Sequence, residues 1–110
     1  MKKKKLVAYV TGHRNKVLDS TCSDRKDFNE LIHRAQQIIS DLESALIAQP
    51  NEYVNLKSRI SNLKNHIRQD ETQNKVKYLC RQIRRRILYD LRNIIIDNSQ
   101  NPASENQKSN

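Results

Sequence analysis

Apolar residues recur every three or four positions along three stretches of the chain, and this spacing predicts three helices. The clearest stretch covers residues 76–96, where the apolar positions occupy about one third of the circumference of a helix. These positions are Val76, Leu79, Cys80, Ile83, Ile87, Leu91 and Ile94. A stripe of this width is typical of a helix that packs against two neighbours, or against one neighbour and a second copy of the chain.

Two earlier stretches repeat the spacing. The first covers about residues 24–48 and begins beside Ser23 and Asp24, whose side chains can cap a helix. Its apolar residues follow positions a, d and e of a heptad, which is typical of coiled-coil-like packing. They are Phe28, Leu31, Ile32, Ala35, Ile38, Ile39, Leu42, Ala45 and Leu46. The second stretch covers about residues 51–68, follows Pro50, and carries Tyr53, Leu56, Ile60, Leu63 and Ile67.

The polar segment between the second and third helices allows two architectures, because it contains neither glycine nor proline. If the chain turns near Asp70, where Asp70 and Thr72 can cap a new helix, the result is an antiparallel bundle. If it does not turn, the two helices fuse into one long rod in a coiled-coil-like hairpin, which would require a dimer. We predict the first: an all-α, three-helix antiparallel bundle with helices at about 24–48, 51–68 and 71–96, inside a domain of residues 23–97.

Both ends of the chain differ from this helical domain. Residues 1–22 contain four consecutive lysines and then the apolar run at residues 6–10, which has the composition of a β-strand. Because no second strand is evident to pair with it, we expect residues 1–22 to form a basic N-terminal arm that is extended or loosely ordered. Residues 98–110 are almost entirely polar, and their composition predicts a disordered C-terminal tail.

Charge adds a candidate binding surface. The chain has 21 Lys and Arg against 12 Asp and Glu, a net charge of +9 that favours anionic partners. Part of the excess forms a line beside the apolar stripe of the last helix, made of Tyr78, Arg81, Arg85, Tyr89 and Arg92, with Lys77 and Arg84 at its border. One interpretation is a solvated face on which arginine stems cover tyrosine rings. The other is a docking surface, since arginine and tyrosine are enriched in binding hot spots.

Other basic residues could contribute secondary contacts. They are Lys2, Lys3, Lys4, Lys5, Lys57, Lys64 and Arg68. Together with the Arg/Tyr face, the lysine run would also serve a protein that binds nucleic acid, since arginine and tyrosine can contact phosphates and stack on bases.

Residue types for catalysis or metal binding are scarce. Cysteine and histidine occur without a CxxC or HxxxH pair, so we expect no metal site and no cofactor. His66 and Asp70, four residues apart, could form an acid–base pair, but nothing around them indicates a pocket. With only 35% hydrophobic residues the chain favours a slim bundle without a deep cavity, so we expect no enzymatic activity.

The two cysteines, Cys22 and Cys80, do not form a disulfide framework, and their number favours a reducing compartment. The apolar run after the N-terminal lysines is too short for a secretory signal, and no stretch is long enough to span a membrane. From these observations we expect a cytoplasmic protein.

The sequence therefore predicts a non-enzymatic helical interaction protein, such as an adaptor, an inhibitor or a regulator. It would dock the Arg/Tyr face onto an acidic surface of a partner protein. A regulator that binds nucleic acid through the same face and the lysine run is the alternative. A homodimer is a further arrangement that the width of the apolar stripe allows.

Overall fold

The residues that the computed structural model describes form four helices. It describes residues 2–44, 49–63 and 66–109, and the side chains of residues 3–44, 49–63 and 66–99. The helices are α1 (Lys2–Asp19), α2 (Arg25–Ser44), α3 (Pro50–Leu63) and α4 (Gln73–Ser109). The described residues contain no strand, so the predicted all-α class is confirmed, whereas the predicted count of three helices is corrected to four.

Helix α1 replaces the extended arm that the sequence predicted. Residues 6–10 are helical, and Leu6, Val10 and Val17 are buried along one side of the helix, at spacings of four and seven residues. The β-type composition of residues 6–10 is overridden because α1 gains a large apolar contact by lying on α4.

The apolar stripe of α4 forms the centre of the core. All seven of its predicted members are buried, and Cys80, Ile87 and Leu91 are completely inaccessible to solvent. Helix α1 covers one flank of the stripe, where Arg84 contacts its last turn, and α3 covers the other, where Asp90 contacts Arg59. Helices α1 and α3 therefore cover most of the width of the stripe, and α2 makes a smaller contact with α4.

Helix α2 packs mainly against α3, and its apolar positions are buried as the heptad pattern predicts from Phe28 to Leu42. Ala45 and Leu46 lie outside the described residues. The start of α2 carries a reciprocal cap: Asp24 Oδ1 accepts a hydrogen bond from the Asp27 amide at 2.8 Å, and Asp27 Oδ2 accepts one from the Ser23 amide at 3.0 Å. Helix α2 begins at Arg25, directly after Asp24.

The segment between α3 and α4 breaks the helix, so the single rod is excluded. Helix α3 ends at Leu63 rather than near Arg68, and α4 begins at Gln73. Thr72 Oγ1 accepts a hydrogen bond from the Lys75 amide at 3.2 Å and so caps the start of α4.

Helix α4 continues through the predicted disordered tail as far as Ser109. Asn98 is the first residue after the predicted domain of residues 23–97, and its side chain is buried. Asn98 Nδ2 donates to the Ile94 carbonyl at 2.7 Å, and its Oδ1 accepts from Lys3 Nζ at 2.8 Å. The molecule measures 58 × 22 × 18 Å along its principal axes.

A disulfide bond joins Cys22, in the α1–α2 connection, to Cys80 on α4, with 5.5 Å between the two Cα atoms. The bond was not predicted, because nothing in the sequence indicates that the two cysteines meet in space. With both cysteines in a disulfide, their number no longer favours a reducing compartment. Within the described residues, no helix combines the length and the hydropathy that crossing a membrane requires.

Replacing Leu42 or Ile83 by aspartate should unfold the protein, because either change places an unpaired charge where the side chain is at most 2% exposed. The cost is several kcal/mol, a large part of the stability of a small domain. Circular dichroism and thermal melting measure the loss. Val54→Asp is the matched control, because Val54 is 48% exposed and should tolerate the charge. A folded Leu42→Asp variant would contradict the assignment of the core.

Removing the disulfide by the double substitution Cys22→Ser and Cys80→Ser should lower the free energy of unfolding. The disulfide joins residues 58 positions apart and so restricts the unfolded chain. Without it the unfolded chain gains conformational entropy, which lowers the free energy of unfolding by about 4 kcal/mol. Urea unfolding of the oxidised protein, the reduced protein and the double variant measures the difference. Reductant should leave the double variant unchanged; equal stability of all three samples would show that the link does not stabilise the fold.

Candidate docking surface on helix α4

The five residues of the predicted Arg/Tyr face lie together on the side of α4 that points away from the core. We call this set, Tyr78, Arg81, Arg85, Tyr89 and Arg92, the Arg/Tyr strip. All five are exposed, with Tyr78 at 55% and Tyr89 at 58%. The strip is exposed because the opposite side of the same helical turns carries the buried stripe. At 1.5 Å per residue it extends about 21 Å along the helix.

The arginines of the strip are electrostatically free within the described part of the chain. Arg81, Arg85 and Arg92 form no ion pair with any described carboxylate. Asp90 lies among them in sequence but is 3% exposed and faces α3 instead. The strip thus presents positive charge that its own helix does not neutralise.

Tyr78 is held in place by its neighbours along α4. Its hydroxyl accepts a hydrogen bond from Gln82 Nε2 at 2.7 Å, and Lys75 Nζ lies 5.9 Å from the centroid of its ring. Among the described side chains, the cation that lies over a ring of the strip is Lys75 and not an arginine. The three arginines of the strip are exposed. The solvated-face interpretation, which concerns the arginine stems, stays a prediction.

The two border residues differ in role. Lys77 is exposed, as predicted. Arg84 is half-buried: its Nε donates to the Val17 carbonyl at 3.1 Å and its Nη2 to the Leu18 carbonyl at 2.6 Å. These carbonyls lie in the last turn of α1, where the Val17 carbonyl also accepts hydrogen bonds from Ser20, so Arg84 contributes to the C-terminal cap of α1. The structure thus gives Arg84 a structural contact, and its place in the docking surface stays a prediction.

The secondary basic residues do not form one surface. Lys3 contacts Glu52 at 2.9 Å, Lys57 contacts Glu43 at 2.7 Å, and Arg68 contacts Asp70 at 3.3 Å. Three members of the predicted set therefore have carboxylate partners. Lys4 and Lys5 are exposed on α1, whereas the Lys2 side chain and Lys64 lie outside the described residues.

These contacts change the acidity of the carboxylates involved. Burial raises the pKa of Glu52, but hydrogen bonds from Lys3 and from the Gln49 amide outweigh burial and leave the pKa below its usual value. The hydrogen bond from Lys57 likewise lowers the pKa of Glu43. Both carboxylates consequently stay ionised and hold their lysines.

Sequence reasoning missed the ion pair between Arg59 on α3 and Asp90 on α4. Arg59 Nε lies 2.5 Å from Asp90 Oδ2, and Arg59 Nη2 lies 3.2 Å from Oδ1, a two-pronged contact that raises the pKa of Arg59. A signal was present: Asp90 lies three residues after Ile87 and seven after Ile83, within the apolar spacing. A carboxylate at such a position indicates a buried partner.

A second polar cluster lies between α1 and α2. Tyr9 donates a hydrogen bond to the Asp41 carboxylate, and its ring centroid lies 4.5 Å from that of His13. Arg34 Nη1 lies 3.3 Å from His13 Nδ1. Burial, together with the charges of Arg34 and Lys16, lowers the pKa of His13. The four side chains satisfy one another, so the cluster links the two helices.

Metal and acid–base sites were not expected from the sequence. Among the described residues, no group of three or more His, Cys, Asp and Glu side chains could hold a metal ion. His66 and Asp70 lie between α3 and α4 rather than on a helix, and the Asp70 carboxylate contacts Arg68. The helical pair that the sequence suggested is therefore wrong.

Comparison of the chain with protein-family models, with curated proteins and with solved structures found no significant match. The function of the strip is therefore argued from its own geometry and charge.

Arg84→Ala should lower the free energy of unfolding by about 1 kcal/mol, because it removes two charged hydrogen bonds to the end of α1. Urea unfolding measures the change. Arg81→Ala is the matched control on the same helix and should leave the stability unchanged within about 0.5 kcal/mol, since its side chain is exposed. Equal effects of the two substitutions would contradict the division between cap and strip.

Proposed function

We propose that this chain is a non-enzymatic helical interaction protein, an adaptor, inhibitor or regulator, that docks the Arg/Tyr strip onto an acidic surface of a partner protein. One observation carries the proposal. Two tyrosines more than half exposed and three exposed arginines, which pair with no described carboxylate, share one side of one helix.

The chemistry of the strip favours a protein partner with carboxylates. A guanidinium binds a carboxylate through two parallel hydrogen bonds, which gives both affinity and orientation. A tyrosine ring adds apolar area at low cost in side-chain entropy, and its hydroxyl can still find a polar partner. Tyrosine and arginine together are the types that dominate the binding energy of many interfaces.

The fold holds the strip ready for binding. Helix α4 is fixed on its inner side by α1 and α3, by the Cys22–Cys80 bond and by the Arg59–Asp90 pair. A surface that is already ordered loses little conformational entropy when it binds, so more of the contact energy contributes to affinity.

The alternative, nucleic-acid binding, would use the strip together with the lysine run. Lys4 and Lys5 are exposed and available for it, but Lys3, Lys57 and Arg68 are engaged with carboxylates. Three members of the basic set that nucleic-acid binding would recruit are thus already paired with carboxylates, and this favours the protein partner as the proposal.

The triple variant Arg81→Ala, Arg85→Ala, Arg92→Ala should lose partner binding while it keeps its helicity and melting temperature, because all three side chains are exposed. Affinity capture from a nuclease-treated lysate, read by mass spectrometry, should yield an acidic protein with the native chain. The purified partner should bind the variant about 100-fold more weakly, as expected when several hot-spot residues are removed.

The matched control is Lys16→Ala, Lys26→Ala, Arg86→Ala, which removes the same charge from exposed positions outside the strip. It should bind the partner like the native chain. Undiminished binding by the strip variant would show that the strip is solvated surface. Capture that nuclease abolishes, with steep weakening between 50 and 200 mM salt, would favour nucleic acid instead.

A further inference from the structure

We infer that the element of the partner that covers the Arg/Tyr strip is an acidic α-helix lying alongside α4. This inference rests on the proposed function and specifies the surface that the strip recognises. It depends on the spacing of the five residues, on the length of the strip and on its charge.

The spacing of the strip keeps its five residues on one side of α4 over about four turns, which is the arrangement that a helix lying alongside α4 requires. From Tyr78 to Arg92 the five residues are separated by 3, 4, 4 and 3 positions, an average of 3.5 residues per step. A period of 3.5 residues is what allows side chains of one helix to fit between those of a second helix over several turns. The inner stripe of α4 is already used by α1 and α3, so this outer seam is available to another helix.

The length of the strip also favours a helix. A helix that crosses α4 at about 20° stays in contact over several turns, whereas a steeply crossing element contacts only the turns nearest the crossing point. The strip extends about 21 Å along the axis, and its exposed residues occur in each turn. A single partner helix that contacts both Tyr78 and Arg92 must therefore run nearly parallel to α4.

Charge decides which helix can occupy the seam. A second copy of the chain would place arginine against arginine in the parallel orientation. In the antiparallel orientation centred on Arg85, the Arg85 side chains of the two copies would face each other. With a net charge of +9 on each chain, such pairing is repulsive. Carboxylates at helical spacing on a different protein would instead meet Arg81, Arg85 and Arg92, with apolar side chains between them to contact the tyrosine rings.

Three probes test the inference. The first is a synthetic peptide of about four heptads, long enough to form a helix, with glutamate at position a and leucine at position d on an alanine–glutamine background. The second is the same peptide with two central residues replaced by their D-enantiomers, which breaks the helix but keeps the composition and charge. The third is a DNA duplex. Fluorescence anisotropy at 150 mM salt measures their affinity for the native chain, the strip variant and the matched control.

The helical peptide should bind at least ten-fold more tightly than its D-substituted form, should lose binding with the strip variant, and should keep it with the matched control. Equal, strip-dependent binding of both peptides would overturn the helix and leave the proposed function intact. So would failure of both peptides while strip-dependent capture of an acidic protein persists. Preference for the duplex, lost with the strip variant, would overturn both.

Discussion

Burial of one apolar stripe by two helices at once is the interaction on which the rest of this structure depends. The stripe of α4 is wide enough for α1 on one flank and α3 on the other, and each neighbour is fixed by a polar contact at the edge of the stripe. Because both neighbours lie on the inner side, the outer side of the same turns is left to arginine and tyrosine. Core and candidate docking surface are therefore two faces of one helix.

The charged residues of α4 point in different directions around the helix axis, and each direction gives them a different partner. Arg84 is turned toward α1 and caps it, Asp90 is turned toward α3 and pairs with Arg59, and Arg85 is turned toward solvent. Adjacent residues thus perform different tasks, since one position corresponds to about 100° of rotation. This sorting keeps the one carboxylate in the middle of the helix away from the exposed arginines, which preserves the positive potential of the strip.

The sequence predicted the parts of the fold that long apolar repeats determine, namely the α-helical class, the core of α2 and α4, and the outward direction of the five strip residues. It failed on α1, because its few apolar positions lie in a β-type run and because its stability comes from contact with α4. The role of Arg84 could not be predicted either, since the carbonyls that it caps belong to that unpredicted helix. Pairing of Cys22 with Cys80 requires their positions in space, which spacing alone does not provide.

The Cys22–Cys80 bond also changes how the chain is connected. It closes a covalent ring that includes all of α2 and α3, since both helices lie between the two cysteines in sequence. A single cut of the backbone anywhere inside this ring would leave α1 and the exposed face of α4 in one molecule. Proteolytic cleavage within α2 or α3 would therefore not separate α1 from the helix that carries the strip.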